Sequence, residues 1–450
     1  MWRCGRYTSQ NMVLRAPPDG GGGGFFASNR PALGGAKNAR EGRPKAGGGA
    51  ALDTTAKSVG RSAAEASRKQ GRNDRFRWQR HAARLLGGKA RVGLCRWSVI
   101  SRATGVDVVT SSYAGAEGLF AHFEGLQTCG SVWDCLCCSA RISETRRGEL
   151  NQLLSWAREE GYVVQMITMT ARHGAGDDLA ELLEAMKEAK RRWAQHRAYR
   201  RIKPFIVGSV TATEVTGGGA HGWHPHFHVL MITTEPVDLD ELCEPWLASL
   251  RAEGLDGNGS GWSVQDASAA GNYIAKWGAA EEIALGAKKR GRGGMTPTQL
   301  LAASCDDGDK QAGGLWREYS AAFRGRRQLV WSRGLKVLAG IGEVEDEEAS
   351  ADQQQEGQQE EGRVNITADD WSPRDHRRRG AQHRRARILD AAEVTGEAGV
   401  RLVVAETGTD DEPGRVELIE PVEHKPWRPG QGGLAAAALA AIRKPLGQGP

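Results

Sequence analysis

The sequence of 450 residues lacks the features that mark membrane-spanning and secreted proteins. Its apolar stretch GGLAAAALAAI, near the C-terminus, is well short of the ~20 residues needed to cross a bilayer. The first residues, MWRCGRYTSQNM, contain no apolar core of a secretory signal. Eight cysteines in so long a chain are too few for a disulfide scaffold. We therefore expect a soluble cytoplasmic protein with no membrane partner.

The charge balance is mildly basic, with a net charge of +6 and a pI near 8.9. Such a balance allows a polyanionic partner without requiring one. The charges are unevenly spread along the chain, so their positions are more informative than their sum. The length is sufficient for two or three domains of roughly 100–200 residues each.

The first 84 residues are rich in Gly, Ala, Arg and Ser, and include the run Gly20 to Gly24. Apolar residues are sparse there, and a segment with little apolar surface to bury does not offset the entropy lost on ordering. We therefore expect residues 1–84 to form a disordered extension, with order beginning near Leu85.

The region from 85 to 340 has the hydrophobic periodicity of a folded domain. Stretches with helical spacing alternate with β-branched stretches of period two, and glycines separate the two longest strands. The predicted elements are a helix over 142–160, a strand over 162–173, a helix over 177–193, strands over 204–216 and 221–232, a helix over 238–254, a strand over 261–267 and a helix from 270. This order predicts the α+β class, with one central antiparallel sheet flanked by helices.

Beyond this region the composition changes twice. Residues 341–365 are acidic and Gln-rich, which indicates a solvated linker. Residues 366–450 begin with an Arg-rich helix, followed by VRLVVAE and RVELIE, and are predicted to form a small basic module of one helix and one hairpin. The Arg-rich helix either contacts DNA phosphates or is a solvated face that balances the acidic linker.

The stretch HGWHPHFHVLMI places His224, His226 and His228 at alternate positions of a strand. Alternate residues share a face, so these imidazoles point together. Glu214, near the end of the preceding strand, is the candidate third ligand. Two histidines and one carboxylate suit a divalent metal that keeps positions open for substrate. His224 is the alternative third ligand, or a DNA contact, but Pro225 disturbs the strand there and favours Glu214.

The stretch GNYIAKW places Tyr273 and Lys276 on one face of a helix. A tyrosine is a weak nucleophile at its free pKa of about 10. A neighbouring ammonium group and a metal-polarised phosphate would assist its attack as phenolate. A lone Tyr-x-x-Lys pattern is usually ordinary helix packing, so its significance depends on the other motifs.

Three stretches, MITMTARH, TEVT with GWHPHFHVLMI, and NYIAKW, follow one another in the chain. In this order they resemble the three motifs of rolling-circle replication initiators of the HUH endonuclease superfamily. The similarity is greatest to plasmid Rep proteins of Gram-positive bacteria and actinomycetes, and it covers roughly residues 90 to 340. It implies an HUH-like fold and a metal-dependent enzyme that nicks and joins DNA at a specific sequence, in the bacterial cytoplasm.

The resemblance also implies roles for individual residues. His226 and His228 would hold Mg²⁺ or Mn²⁺, Tyr273 would be the nucleophile, and Lys276 would assist at the phosphate. The products would be a 5′-phosphotyrosyl link and a 3′-OH primer. The implied partners are plasmid origin DNA, single-stranded at the nick, and a host helicase and DNA polymerase. A single tyrosine lies in the motif, and nothing selects a residue for termination.

The cysteines cluster in TCGSVWDCLCCSARI. Cys135 and Cys138 form a C-x-x-C half-site of the kind that binds zinc, and Cys129 supplies a third thiolate. Cys95 is the best fourth ligand, and similar initiators carry cysteines in comparable places. Cys137 would then be a bystander. A structural Zn²⁺ would staple the N-terminal part of the domain, whereas the alternative is a set of buried or reactive thiols.

Candidate DNA contacts are less specific. Lys288, Lys289 and Arg290 begin a basic stretch, and Arg172 lies beside the first motif. Basic residues are more often part of a solvated surface, but on a DNA-nicking domain they are candidates for phosphate binding.

Two other functions compete with the replication initiator. A relaxase or an HUH transposase would use the same chemistry on another DNA, although relaxases usually carry the tyrosine ahead of the histidines. A zinc-stapled DNA-binding regulator would use the histidines only for structure. Metal-dependent cleavage of single-stranded DNA would distinguish the regulator from the enzymes.

Overall fold

The computed structural model describes residues 51–87, 90–113, 117–219, 221–266, 294–351, 358–371 and 381–406. The chain divides into two compact units, residues 1–64 and residues 65–450, and all sites discussed below belong to the second unit. Within the described ranges, no helix is both long enough and apolar enough to cross a membrane.

The helices and strands are numbered here in chain order. They are α1 Ala51–Leu85, β1 Val106–Tyr113, β2 Phe120–Glu124, α2 Leu136–Glu159, β3 Val163–Thr170, α3 Leu179–Trp193, α4 Arg197–Ile202, β4 Ile206–Gly219, β5 Gly222–Thr233, α5 Cys243–Ala252, β6 Trp262–Asp266, α6 Pro297–Asp306, α7 Lys310–Phe323, β7 Leu329–Trp331, α8 Leu335–Leu338, α9 Asp346–Ser350, β8 Gln358–Ile366, α10 Ala368–Trp371 and α11 Ala381–Ala405.

The larger sheet has five strands in the order β6-β3-β5-β4-β7, and each neighbouring pair is antiparallel. One face carries Phe227 and Val229, which pack with residues of α3 and α5 such as Trp193. The opposite face carries Leu230, which packs with Leu153 of α2. An antiparallel sheet with helices on both faces confirms the predicted α+β class.

The helix predictions around this sheet hold well. The structure begins α3 directly after Asp178, whose side chain accepts a hydrogen bond from the Glu181 backbone and caps the helix. Helix α2 ends just before the predicted glycine stop, Gly161, which has a φ of +73°. Pro245 lies in the first turn of α5, where a missing N–H costs no helical hydrogen bond.

A second sheet, not predicted from the sequence, has three strands in the order β2-β1-β8. Its strand β8 lies where an acidic linker was expected, so that expectation is wrong for this stretch. Val364 and Ile366 of β8 are buried, whereas Arg363, next to Val364, binds Asp107 and Glu124 at 2.8 and 2.7 Å. Asp107 and Glu124 are distant from β8 in sequence, which is why local composition does not reveal the strand.

Order also begins earlier than expected. The prediction that residues up to 84 are disordered is wrong for the second half of α1, where Phe76, Trp78 and Ala82 are buried. Arg77 in the same stretch binds Asp306 of α6 at 3.0 Å. The few apolar side chains of α1 complete a core that distant segments build, and composition alone does not show that core. Residues 1–50 lie outside the described residues.

The C-terminal region differs from the predicted helix and hairpin. Its first predicted strand, VRLVVAE, lies mainly in α11, which is interrupted at Gly396 with a φ of +61°. A short valine-rich run is compatible with either a strand or a buried helix. Here Val400 and Val403 are buried as part of a helix. The second predicted strand, RVELIE, is outside the described residues. The division of the chain into functional domains at 84, 340 and 365 stays a prediction.

Candidate metal centres

The register of the larger sheet brings a histidine pair and a carboxylate together. In β5, His226 pairs with Glu214 of β4, and His228 lies two residues further along the same face. The Glu214 Oε2 atom is 3.0 Å from His226 Nε2 and 3.4 Å from His228 Nε2. Ligand atoms of the three residues all lie within 4.8 Å of one another. The group therefore has the composition and spacing of a divalent-metal site.

The electrostatics keep this carboxylate ionised. Burial acts to raise the pKa of Glu214, but hydrogen bonds from His226 and His228 outweigh it and lower the pKa to about 2. The Nδ1 atom of His226 is buried and has no hydrogen-bond partner in the described part of the chain. A buried polar atom without a hydrogen-bond partner lowers the stability of the fold. The hydrogen bonds among Glu214, His226 and His228 therefore leave one polar atom of this set unsatisfied. The three residues fit a bound cation.

Thr168 of β3 orients one of the two rings. Its Oγ1 lies 3.1 Å from Nδ1 of His228, which leaves the Nε2 atom of His228 facing Glu214. Hydrogen bonds of this kind fix the ring orientation of metal-binding histidines. Thr168 was not among the predicted site residues, although it lies in the first motif, on the strand next to the histidines.

His224 has a different neighbour. Its Nδ1 atom lies 2.7 Å from Nε2 of His173, and burial, with the nearby His173 and His226, lowers the pKa of His224 to about 4. His224 is therefore not in the group formed with Glu214. Pro225 was expected to disturb the strand at His224 and so to favour Glu214 as the third ligand. That expectation is wrong, because β5 continues through Pro225.

A cavity of about 250 Å³ adjoins Glu214 and His226. It lies between the sheet and helices α2, α6 and α7, and four aromatic residues contribute to its wall, namely Trp133, Trp316, Tyr319 and Phe323. The cavity has room for part of a substrate beside the candidate metal ligands.

The other residues predicted for catalysis and DNA contact are Arg172 and five residues that the structure does not describe. Those outside the described residues are Tyr273, Lys276, Lys288, Lys289 and Arg290. Arg172 lies just after β3, and its side chain binds Asp256 at 3.2 Å while half-exposed. A DNA contact by any of these residues stays a prediction.

The four cysteines predicted as zinc ligands converge. Cys95, Cys129, Cys135 and Cys138 are all buried, and their sulfurs lie within 4.8 Å of one another. The Sγ of Cys138 is 3.5 Å from that of Cys95 and 3.7 Å from that of Cys129, and Cys95 and Cys135 are 3.5 Å apart. Zn–S bonds of about 2.3 Å in a tetrahedron place sulfurs about 3.8 Å apart. The geometry fits a four-thiolate zinc site.

Local structure explains how these cysteines meet. Cys135 immediately precedes α2 and Cys138 lies in its first turn, so the C-x-x-C pair projects from one helix end. Cys95 follows a short 3₁₀ turn, Arg91–Gly93, and Cys129 follows β2. Cys137 is buried but is not part of the group, as the sequence predicted.

Comparison with known proteins places the chain in a family. A family described as replication protein matches residues 122–236. A protein named Protein rep from Streptomyces lividans is 30% identical over an alignment 351 residues long, which covers 60% of this chain and 76% of that relative. A neomycin resistance protein from Streptomyces cyanogenus is 30% identical over an alignment 135 residues long, which covers 24% of this chain and 31% of that relative. No solved structure matches.

These matches define a class: the chain belongs to the Rep family of replication proteins. This confirms the resemblance to rolling-circle initiators that the motifs indicated. The matched residues include Glu214, His226 and His228, whereas Tyr273 and Cys95 lie outside the family match.

Proposed function

We propose that this protein initiates plasmid replication by nicking one DNA strand at the origin through a tyrosine transesterification. The observation that carries the proposal is the convergence of Glu214, His226 and His228 in a member of a replication protein family. Such a ligand set leaves coordination positions for a phosphate oxygen. The HUH-type fold and the bacterial cytoplasm as the site of action are part of the same proposal.

The three ligands would hold Mg²⁺ or Mn²⁺, which when bound withdraws charge from a non-bridging oxygen of the scissile phosphate. Glu214 supplies a permanent negative charge for the cation, since its pKa is about 2. Thr168 fixes the ring of His228 in the orientation that faces the shared site. The protein's contribution is thus a preformed platform on one face of two paired strands.

Tyr273 is the proposed nucleophile, on the strength of the third motif. Its phenolate oxygen attacks phosphorus, a 5′-phosphotyrosyl bond forms, and the bond to the 3′ oxygen breaks. The leaving oxygen takes a proton and becomes the 3′-OH that primes a host polymerase. Lys276 assists by placing positive charge near the phosphate. The phosphotyrosyl ester conserves bond energy for later rejoining.

The substrate is proposed to be origin DNA that is single-stranded at the nick. A paired backbone does not bend into a cleft between a sheet and helices, whereas an unpaired strand does. The cavity beside Glu214 and His226 gives such a strand room next to the ligands. A host helicase would extend the unwound region after nicking. Lys288, Lys289, Arg290 and Arg172 are the proposed phosphate contacts.

The experiment uses the full chain, a single-stranded origin oligonucleotide with a label, and Mg²⁺ or Mn²⁺. We expect a covalent protein–DNA band on a denaturing gel, which disappears with chelator and in Tyr273→Phe. Tyr162→Phe is the matched control, because Tyr162 packs on Trp156 away from the histidines, and it should form the band normally. A band of undiminished strength in Tyr273→Phe would contradict the proposal.

A second function is favoured by a separate observation, the buried four-cysteine group. It would make the protein a zinc-stapled DNA-binding regulator without catalysis. The same experiment decides: sequence-selective binding of duplex DNA without any covalent band would support the regulator. A relaxase or transposase would form the band, but on DNA from a transfer origin or a transposon end.

We also propose that Cys95, Cys129, Cys135 and Cys138 hold a structural Zn²⁺. The ion would fasten the segment before β1 to the start of α2. Elemental analysis of the full chain should give about one zinc per molecule, and Cys138→Ser should reduce both zinc content and thermal stability. Cys305→Ser is the control, since Cys305 is outside the group. Unchanged zinc content in Cys138→Ser would contradict the site.

A further inference from the structure

A buried positive charge lies close to the four-cysteine group. Arg385, in the first half of α11, is only 1% exposed. Its guanidinium lies between two aromatic rings, 4.2 Å from the ring centre of Phe76 and 3.8 Å from that of Trp97. Within the described ranges, no carboxylate forms an ion pair with it. An arginine keeps its charge inside proteins, so a buried one needs a negative counterpart.

One side chain links this guanidinium to the cysteines. The two terminal nitrogens of Arg385 donate to Gln79 Oε1 at 3.2 Å, and one also donates to the carbonyl of Arg96 at 3.1 Å. The Nε2 atom of Gln79 donates to the Cys95 carbonyl at 2.9 Å and lies 3.6 Å from Cys135 Sγ. Gln79 is itself fully buried. The hydrogen bonds therefore run from α11 through α1 to a predicted zinc ligand.

The cations beside the four-cysteine group match the charge of a bound zinc ion with its four thiolates. Zinc with four thiolates has two net negative charges, and such a charge is costly to bury without compensation. Arg385 supplies one positive charge. Arg75 supplies a second: its Nε atom is buried without a hydrogen-bond partner, and Cys137 and Cys135 are among its electrostatic neighbours. A zinc-loaded group therefore gives both of these cations a negative counterpart.

Helix α11 shares a hydrophobic core with this group. Ala386, Ile388, Leu389 and Ala392 pack in the same cluster as the four cysteines. Further contacts of the helix to α1 are the ion pairs of Arg72 with Asp390 and of Arg68 with Glu393. Docking of α11 thus places Arg385 beside the four-cysteine group.

We propose that zinc loading of the four-cysteine group and docking of α11 are coupled through Arg385, which acts as counter-charge and as positioning residue for Cys135 through Gln79. Arg385 is then neither a DNA contact nor part of a solvated helix face. The inference rests on the zinc site proposed above and is independent of nicking. It makes the C-terminal helix a part of the metal centre's surroundings rather than a separate module.

The first test measures zinc release from the full chain to a chromophoric chelator. Arg385→Met keeps an unbranched side chain between Phe76 and Trp97 but removes the charge. Zinc release should be at least tenfold faster, since groups that support ligands typically change metal affinity 10–100-fold. Arg387→Met is the matched control, because Arg387 is half-exposed on the same helix and binds Glu406. Equal release rates in wild type and Arg385→Met would overturn the coupling.

The second test separates counter-charge from packing. In zinc-loaded protein, Arg385→Met should lower the Tm, whereas in zinc-free protein it should leave the Tm unchanged or raise it, because the unpaired charge is gone. Hydrogen exchange should show that chelation removes protection from residues 381–406 more than from β3 and β5. The same Tm decrease in both states, or unchanged protection of α11, would show a packing role only.

The outcomes distinguish this inference from the proposals it builds on. A wild-type chain that binds no zinc would overturn both the zinc site and the coupling. Bound zinc with equal release from Arg385→Met would overturn the coupling alone. The covalent DNA band with Tyr273 tests nicking and has no bearing on either.

Discussion

At the scale of single residues, the position of His226 opposite Glu214 determines the candidate catalytic site. The pairing is fixed by the register of β4 and β5. A slip of one residue would turn both histidines to the face that Phe227 and Val229 occupy, against α3 and α5. The apolar residues of β5 therefore hold the register that lets the polar ones meet.

Thr168 offers a test of ligand positioning. Thr168→Val removes the hydroxyl beside His228 Nδ1 and keeps the shape of the side chain. We expect the metal concentration for half-maximal nicking to rise roughly 10–100-fold, with little change in the rate at saturating metal. Thr145→Val is the control, because the Thr145 hydroxyl donates to the Arg141 carbonyl within α2, away from the histidines. A loss of maximal rate without a shift in metal dependence would contradict the positioning role.

At the scale of elements, the sequence predicted those whose signals are local. Helix α3 has an apolar face and a capping aspartate, and both can be recognised from neighbouring residues in the sequence. The hairpin of β4 and β5 and the convergence of its ligands also followed from period-two spacing. These elements carry most of the candidate catalytic site.

Elements stabilised by distant partners were not predictable. Strand β8 is charged and begins with two glutamines, and its neighbour in the sheet is β1, which is distant in sequence. The second half of α1 is stabilised by partners such as Asp306, and α11 by the core around the cysteines. Arg385 and Gln79 lack a local signal for the same reason, since their roles depend on which distant residues face them.

The contact between α1 and α6 predicts a pH effect. Burial, and to a smaller extent Arg84, lowers the pKa of His81 to about 4, against the opposing effect of Asp306. Its Nε2 lies 2.9 Å from Ser304 Oγ. Because the unfolded chain binds this proton near pH 6.5 and the folded one does not until about pH 4, stability is full above pH 6.5 and falls as the pH decreases towards 4.

His81→Gln should reduce this pH dependence. Gln can keep a hydrogen bond to Ser304 but does not titrate. We expect the wild type to lose about 1–2 kcal/mol more unfolding free energy than His81→Gln between pH 7 and pH 5. Denaturant unfolding at both pH values measures it, and His221→Gln, at an exposed position, should behave like wild type. Parallel losses in wild type and His81→Gln would refute the assignment.

At the scale of the whole molecule, α2 connects the two metal groups. Cys135 and Cys138 lie at its start, and Leu150 and Leu153 further along pack on the sheet face that carries the histidines. The cavity beside His226 is lined partly by the first turns of the same helix. A zinc ion that fixes the start of α2 would therefore also fix one wall of the proposed substrate cavity.

The most direct measurement of the central claim locates the DNA on the protein. Wild-type protein is allowed to react with single-stranded origin DNA and Mn²⁺, and is then digested with nuclease and trypsin for mass spectrometry. The tryptic peptide from Ala252 to Lys276 has Tyr273 as its single tyrosine. The account predicts that this peptide carries the mass of the attached nucleotides on Tyr273, in a metal-dependent manner. A nicked product with no adduct on this peptide, or an adduct on another residue, would contradict it.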